Sequence, residues 1–185
     1  DGDTLLKSIY QNDSLQYDQG RHSQMIQLAG AEHAYPQNKA YAIVTGNKGL
    51  TFAATNDKSG QRNAAFGTDI ISSMQQGHNA SFEPSFKRLL GWMLKQDETA
   101  LAKPQQVRLF LMSGNTVSRI NGWISEHYPN WQVQTCSDET TLSSCLAEAQ
   151  LVITGSSELF PIKTVEPLIA QIQQATQPLL YVHLH

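Results

Sequence analysis

Two cysteines, Cys136 and Cys145, stand nine positions apart in "CSDETTLSSC". A cysteine behind a strand can be a nucleophile, a metal ligand or half of a disulfide. Two thiols at this spacing are too few for a zinc finger. A nucleophilic elbow needs a frame of small residues, and none surrounds Cys136. Two readings stay open: a pair of buried free thiols, or one disulfide closing a short loop. The six histidines do not cluster, and no H-E-x-x-H occurs, so no metal site is assigned. His183 and His185 alternate on one apolar run, where histidines are more often solvent-facing or hydrogen-bonded than metal-bound.

Other candidate groups follow apolar runs: "SGNT" at 113–116, "TCSD" at 135–138 and "TGSSE" at 154–158. Ligands of an open α/β sheet bind beyond the carboxyl ends of its strands. "SGNTVS" lacks the glycines of a dinucleotide loop, and no G-x-x-x-x-G-K-[ST] phosphate loop is present. "TGSSEL" lacks the second glycine of a serine-hydrolase elbow. Ser156 and Glu158 are therefore kept as ligand-facing candidates without a catalytic role. In "QRNAAFGTD", Gly67 permits a bend and Asp69 suits the cap of a following turn or helix. Thr68 and Asp69 are the second pair of ligand-facing candidates. Trp92, Trp123 and Trp131 invite a sugar-stacking or a core reading; Trp92 and Trp123 fall on apolar helix faces and read as core, and Trp131 opens a strand and is open to either reading.

These residues need a frame, and the periodicities predict one. "DTLLKSIYQND" carries Leu5, Leu6 and Ile9 at helical spacing, so residues 1–37 read as an N-terminal helical segment. "NKAYAIVTG", "LTFAAT" and "RNAAFG" read as a meander of three strands with tight turns. Phe82, Phe86, Leu89, Leu90, Met93 and Leu94 mark one helix face, with Ser81 as its cap and Pro84 in its first turn. "QDETALAKPQQ" reads as a polar connection. From Gln106 strands alternate with helices: "VRLFLMS", "TVSRINGWISEHYP", "WQVQTC", "DETTLSSCLAEA" capped by Asp138, "QLVITGS", "KTVEPLIAQIQQAT" and "PLLYVHLH". Such alternation specifies parallel β-α-β units. The expected fold is α/β: N-terminal helices and a β-meander joined to a parallel, Rossmann-like (amidotransferase-like) sheet. The expected division is 1–37 and 38–185, the latter continuing past His185.

Bulk composition narrows the function. The net charge of −3 gives no basic footprint for nucleic acid, and no apolar run reaches membrane-spanning length. The chain begins at Asp1 rather than Met, which reads as a piece of something longer.

Six stretches then resemble one family in order and spacing: "NKAYAIVTGNKGLTFAATND" with "GQRNAAFGTDII", then "SFKRLLGWML", "INGWISEHYPNWQV", "CSDETTLSSCLAEAQLVITGSS" and "QPLLYVHLH". They are similar to the N-terminal regions of enhancin-like zinc metallopeptidases. That group includes secreted mucin-degrading peptidases, accessory colonization factor and the TRP-channel-associated factors. Thr68 and Asp69 stand behind the F-G corner, where relatives often carry His or Glu. The resemblance implies a non-catalytic accessory module of a secreted or surface, mucin-targeting peptidase. It would position glycoprotein substrate or brace the peptidase domain of its own chain. Zinc is expected only in that downstream domain, with no cofactor in this segment. The resemblance further implies a bacterial extracellular location, with lipid anchoring through a preceding segment as one route. An oxidising compartment favours the Cys136–Cys145 bridge. The alternative reading is an amidotransferase-like enzyme or small-molecule binder with a strand-end cleft.

Overall fold

Alternating runs build the first part of the sheet. The computed structural model describes residues 9, 38–45, 51–156 and 162–184. Strands β1 (Asn38–Thr45), β2 (Thr51–Lys58) and β3 (Gln61–Phe66) pair antiparallel in sequence, as the meander predicts. The β2–β3 hairpin closes in two residues, Ser59 and Gly60, both with positive φ. That turn matches the twist of the flanking strands. Asp57 reinforces it by accepting a 2.8 Å bond from the Gly60 amide.

The remaining strands are β4 (Gln106–Phe110), β5 (Gln132–Cys136), β6 (Leu151–Thr154) and β7 (Leu179–Val182). The seven form one sheet in the order β1-β2-β3-β7-β6-β4-β5. The pairs β3–β7, β7–β6, β6–β4 and β4–β5 are parallel, so the carboxyl ends of five strands share one edge. The chain runs outward from β4 to β5, then returns across β4 to place β6. The order reverses between β4 and β6, and this is the topological switch point of the fold.

Helices cover both faces. In chain order they are α1 (Ile70–Gln75), α2 (Glu83–Leu94), α3 (Glu98–Leu101), α4 (Gly114–His127), α5 (Leu142–Ala147) and α6 (Ile162–Ile172). On one face α1, α2 and α4 bury Met74, Phe86, Leu89, Met93, Ile120 and Trp123 against Val107, Leu109 and Ile153 of the sheet. On the other, α5 and α6 bury Leu142, Leu146, Val165 and Leu168 against Phe110 and Val152. Central strands covered on both sides are near-continuously apolar, which explains "LVIT" and, Arg108 apart, "VRLF".

Trp123 is 1% exposed and meets Phe86 edge-on at 5.3 Å, so its core reading holds. Trp131 is core as well: its indole N–H donates to the Leu101 carbonyl at 2.6 Å and its ring stacks on Tyr128. Ile9, the described residue of the N-terminal segment, is helical and buried, and its carbonyl accepts from the Arg88 guanidinium.

Three local expectations change. Ser81 lies inside a 3-10 turn, Ala80–Phe82, and Phe82 occupies the cap of α2. Asp138 precedes the cap of α5, which is Thr141; its carboxylate instead accepts from the amide and hydroxyl of Thr140. The polar connection contains the single turn α3, because Asp97 accepts from the Ala100 amide at 2.8 Å.

Candidate functional site

The switch point is the first place to look for a ligand, and there the described backbones after β4 and β6 meet closely. Gly155 follows β6, and its amide donates to the Phe110 carbonyl at 2.7 Å. A Cβ built there would stand 2.1 Å from the Leu111 carbonyl oxygen and 2.5 Å from Leu184 Cδ1. Leu111 achieves this approach with φ of +53°, a conformation that disfavours any residue with a side chain. Ser156 is 1% exposed behind this plug. Glu158, His185 and the rest of residues 157–161 lie outside the described residues. His183 is buried, with Nδ1 3.0 Å from the Tyr181 hydroxyl.

Cys136 and Cys145 form a disulfide with Cα atoms 5.9 Å apart. Cys136 ends β5 and Cys145 lies in α5, so the bond ties a strand end to the helix it feeds. Arg108 of β4 secures the same junction. Its guanidinium is buried, and Nε donates to the Cys145 carbonyl at 2.9 Å. A small polar cavity of about 350 Å³ opens beside the disulfide. Asp138 and Glu148 on its wall outweigh the single cation Arg108, and Thr140 holds the Asp138 carboxyl below its ordinary range through its amide and hydroxyl. With both sulfurs bonded, neither can serve as the nucleophile of an amidotransferase-like site.

The F-G corner leads into α1. Asp69 caps α1 by accepting from the Ser72 amide at 3.2 Å, and Thr68 offers its carbonyl to the Ile70 amide. Burial raises the Asp69 pKa, against the pull of Ser72 and Arg119. Thr68 and Asp69 adjoin β3 while Ser156 follows β6, with β7 between those strands, so the two candidate groups do not converge on one cleft.

A larger groove of about 910 Å³ lies elsewhere, along the outer face of α2. Lys87, Gly91 and Lys95 follow one another at four-residue spacing along it, with Trp92 beside them. Such spacing keeps side chains on one helix face. The far wall comprises α3 and Tyr128, whose hydroxyl pKa is raised by burial and then by the charge of Glu98. Trp92 is half-buried: it packs against the core, as its helical position suggests, and also borders the groove. Arg62 of β3 fixes it twice: the guanidinium lies 5.0 Å from the ring centroid, and Nη1 donates to the Trp92 carbonyl at 2.8 Å. At the end of α2, Gln96 and Lys95 amides return to the Gly91 and Trp92 carbonyls, with Lys95 at φ of +56°. This is a Schellman closure with lysine where glycine is usual.

The family is decided by a match over residues 5–185 to the model of the immunomodulating metalloprotease N-terminal domain. The chain belongs to this family. A curated relative, the immunomodulating metalloprotease of Pseudomonas aeruginosa PAO1, is 25% identical over 179 residues. That alignment covers 97% of this chain and 18% of the relative, so the chain spans under a fifth of the longer protein. The solved structure of IMPa from P. aeruginosa in complex with an O-glycopeptide superimposes with a TM-score of 0.69 at 25% identity, covering 97% of this chain and 19% of that one. IMPa in complex with T-antigen gives the same TM-score and coverage at 24% identity and bears on the fold alone. The family assignment agrees with the enhancin-like resemblance read from the sequence, and the α/β architecture agrees with both.

Sequence reading missed the groove set of Arg62, Lys87, Trp92 and Lys95. The one available signal was the spacing of Lys87, Gly91 and Lys95 opposite the apolar stripe of the same helix.

Proposed function

We propose that this chain is the non-catalytic N-terminal module of an IMPa-like metallopeptidase and that it holds glycoprotein substrate for the peptidase domain. The observation that carries this reading is the crowded switch point. In a doubly wound sheet that crevice is where a small-molecule site forms, and here the Leu111 carbonyl and Leu184 crowd Gly155 at its base. Surfaces away from the strand ends are left to interact with large partners. The IMPa structure with an O-glycopeptide supports substrate of that kind. The disulfide supports a secreted or surface location, where an oxidising compartment keeps such a bond. We assign zinc chemistry to the peptidase domain of the parent protein and none to this segment.

The test is incubation of the 185-residue chain with a mucin-type O-glycopeptide, followed by mass spectrometry. The peptide is expected to remain intact with and without added zinc. Cleavage beside the glycosylated residue, abolished by a chelator, would overturn the non-catalytic reading.

A further inference from the structure

We propose that the groove along α2 binds a carboxylated oligosaccharide, with Trp92 as the stacking platform and Lys87 and Lys95 as the carboxylate partners. This rests on the substrate-holding reading above and names the part of the substrate that is held.

The volume of about 910 Å³ lies within the range of ligand sites, about 300–1,000 Å³. Its composition suits a sugar. A saccharide ring offers an apolar face to an indole and hydroxyls to the polar groups around it. Trp92 is half-buried and held by Arg62 in two ways, so its orientation is set before any ligand arrives. Such fixing lowers the ordering cost of binding.

Charge selects the class of sugar. Lys87 and Lys95 line the groove, and their side-chain ammonium groups have no hydrogen-bond or ion-pair partner among the described residues. The axial rise of α2 sets their Cα atoms about 12 Å apart, and Lys95 Nζ extends toward the β2–β3 turn, 3.5 Å from where a Cβ on Gly60 would stand. Three carboxylates also line the groove: the His127 imidazole and the Trp123 indole N–H already face Glu83, Asp97 accepts from the Ala100 amide, and Glu98 lies on the far wall beside Tyr128. The cations beside Trp92 are thus the groups available to a ligand anion. A carboxylate on a sugar seated over the indole meets one of them, and a neutral sugar leaves both idle. Lys95 keeps its place although its left-handed backbone favours glycine.

The test is calorimetric titration of the 185-residue chain with sialyllactose, with lactose as the neutral control. Sialyllactose is expected to bind and lactose to bind about tenfold more weakly or not at all. The double variant Lys87→Gln, Lys95→Gln should lose about tenfold in sialyllactose affinity at unchanged melting temperature. Trp92→Ala should abolish binding and Trp92→Phe retain part of it. Equal affinity for lactose, or variants that bind like the parent, would overturn the proposal. So would a polyglutamate peptide binding as tightly as sialyllactose, which would make the groove a dock for acidic protein. Retention on mucin by variants that no longer bind sialyllactose would overturn the groove alone. Cleavage of glycopeptide by the chain would overturn the substrate-holding reading instead.

Discussion

The carbonyl oxygen of Leu111 lies 2.1 Å from the position a Cβ would take on Gly155. The backbones at the ends of β4 and β6 thus close over the point where the sheet reverses its order. A methyl group there must push the two strand ends apart. Overpacking of this sort costs about 1–3 kcal/mol, and the backbone obstacle argues for the upper end. Gly155→Ala is expected to lower the urea midpoint without changing the m-value. An unchanged midpoint would mean that the strand ends are not closed.

Lys95 supplies a second mutational test. Its φ of +56° makes it a glycine position in a helix-closing motif. Lys95→Gly relieves the left-handed strain, about 1 kcal/mol, and removes one cation from the groove. Thermal melting should show a rise, while titration with sialyllactose shows a loss. A variant less stable than the parent would contradict the Schellman geometry at the end of α2.

Asp69 predicts a pH dependence. Burial raises its pKa above the ordinary 3.8, so the folded state holds the proton to higher pH than the unfolded state. The carboxyl is therefore neutral at no cost below 3.8, and stability falls as pH rises from there through the folded-state value. Asn at this position keeps the capping oxygen and cannot ionise. The melting temperature of Asp69→Asn relative to the parent is expected to rise between acid and neutral pH. A difference that stays flat, or slopes the other way, would contradict the burial of this carboxylate.

The Cys136–Cys145 bond closes a loop of ten residues, spanning a separation of nine. The chain-entropy estimate for such a loop is about 2.5–3 kcal/mol. Reduction should destabilise the chain by that order without releasing α5 fully, since Arg108 also holds the Cys145 carbonyl. Non-reducing mass spectrometry with alkylation should find no free thiol. Two alkylated cysteines in exported protein would contradict the bridge.

Much of the fold was legible because its signals are local. The change from period two to period three to four at Ser81, and the strand-helix alternation after Gln106, each depend on residues a few positions apart. Asp69 was readable as a cap for the same reason. The displaced caps at Ser81 and Asp138 turned on which of several adjacent polar groups reaches an amide. Arg108 sat inside an apolar run, and its burial depends on a carbonyl 37 residues away. The groove was further out of reach. It joins Arg62 of β3 to α2, α3 and the end of α4, and Trp92 has the same helical phase whether its ring lies inside the core or at a rim. Ser156 was read as ligand-facing because the plug over it is made by a backbone carbonyl, which leaves no mark in the sequence.

Substrate holding without catalysis is tested most directly by passing the 185-residue chain over an immobilised mucin-type glycoprotein and analysing both partners afterwards. The chain should be retained, the glycoprotein should be recovered uncleaved, and enzymatic removal of the O-glycans should release the chain. Passage without retention, or retention unaffected by loss of the glycans, would contradict the account.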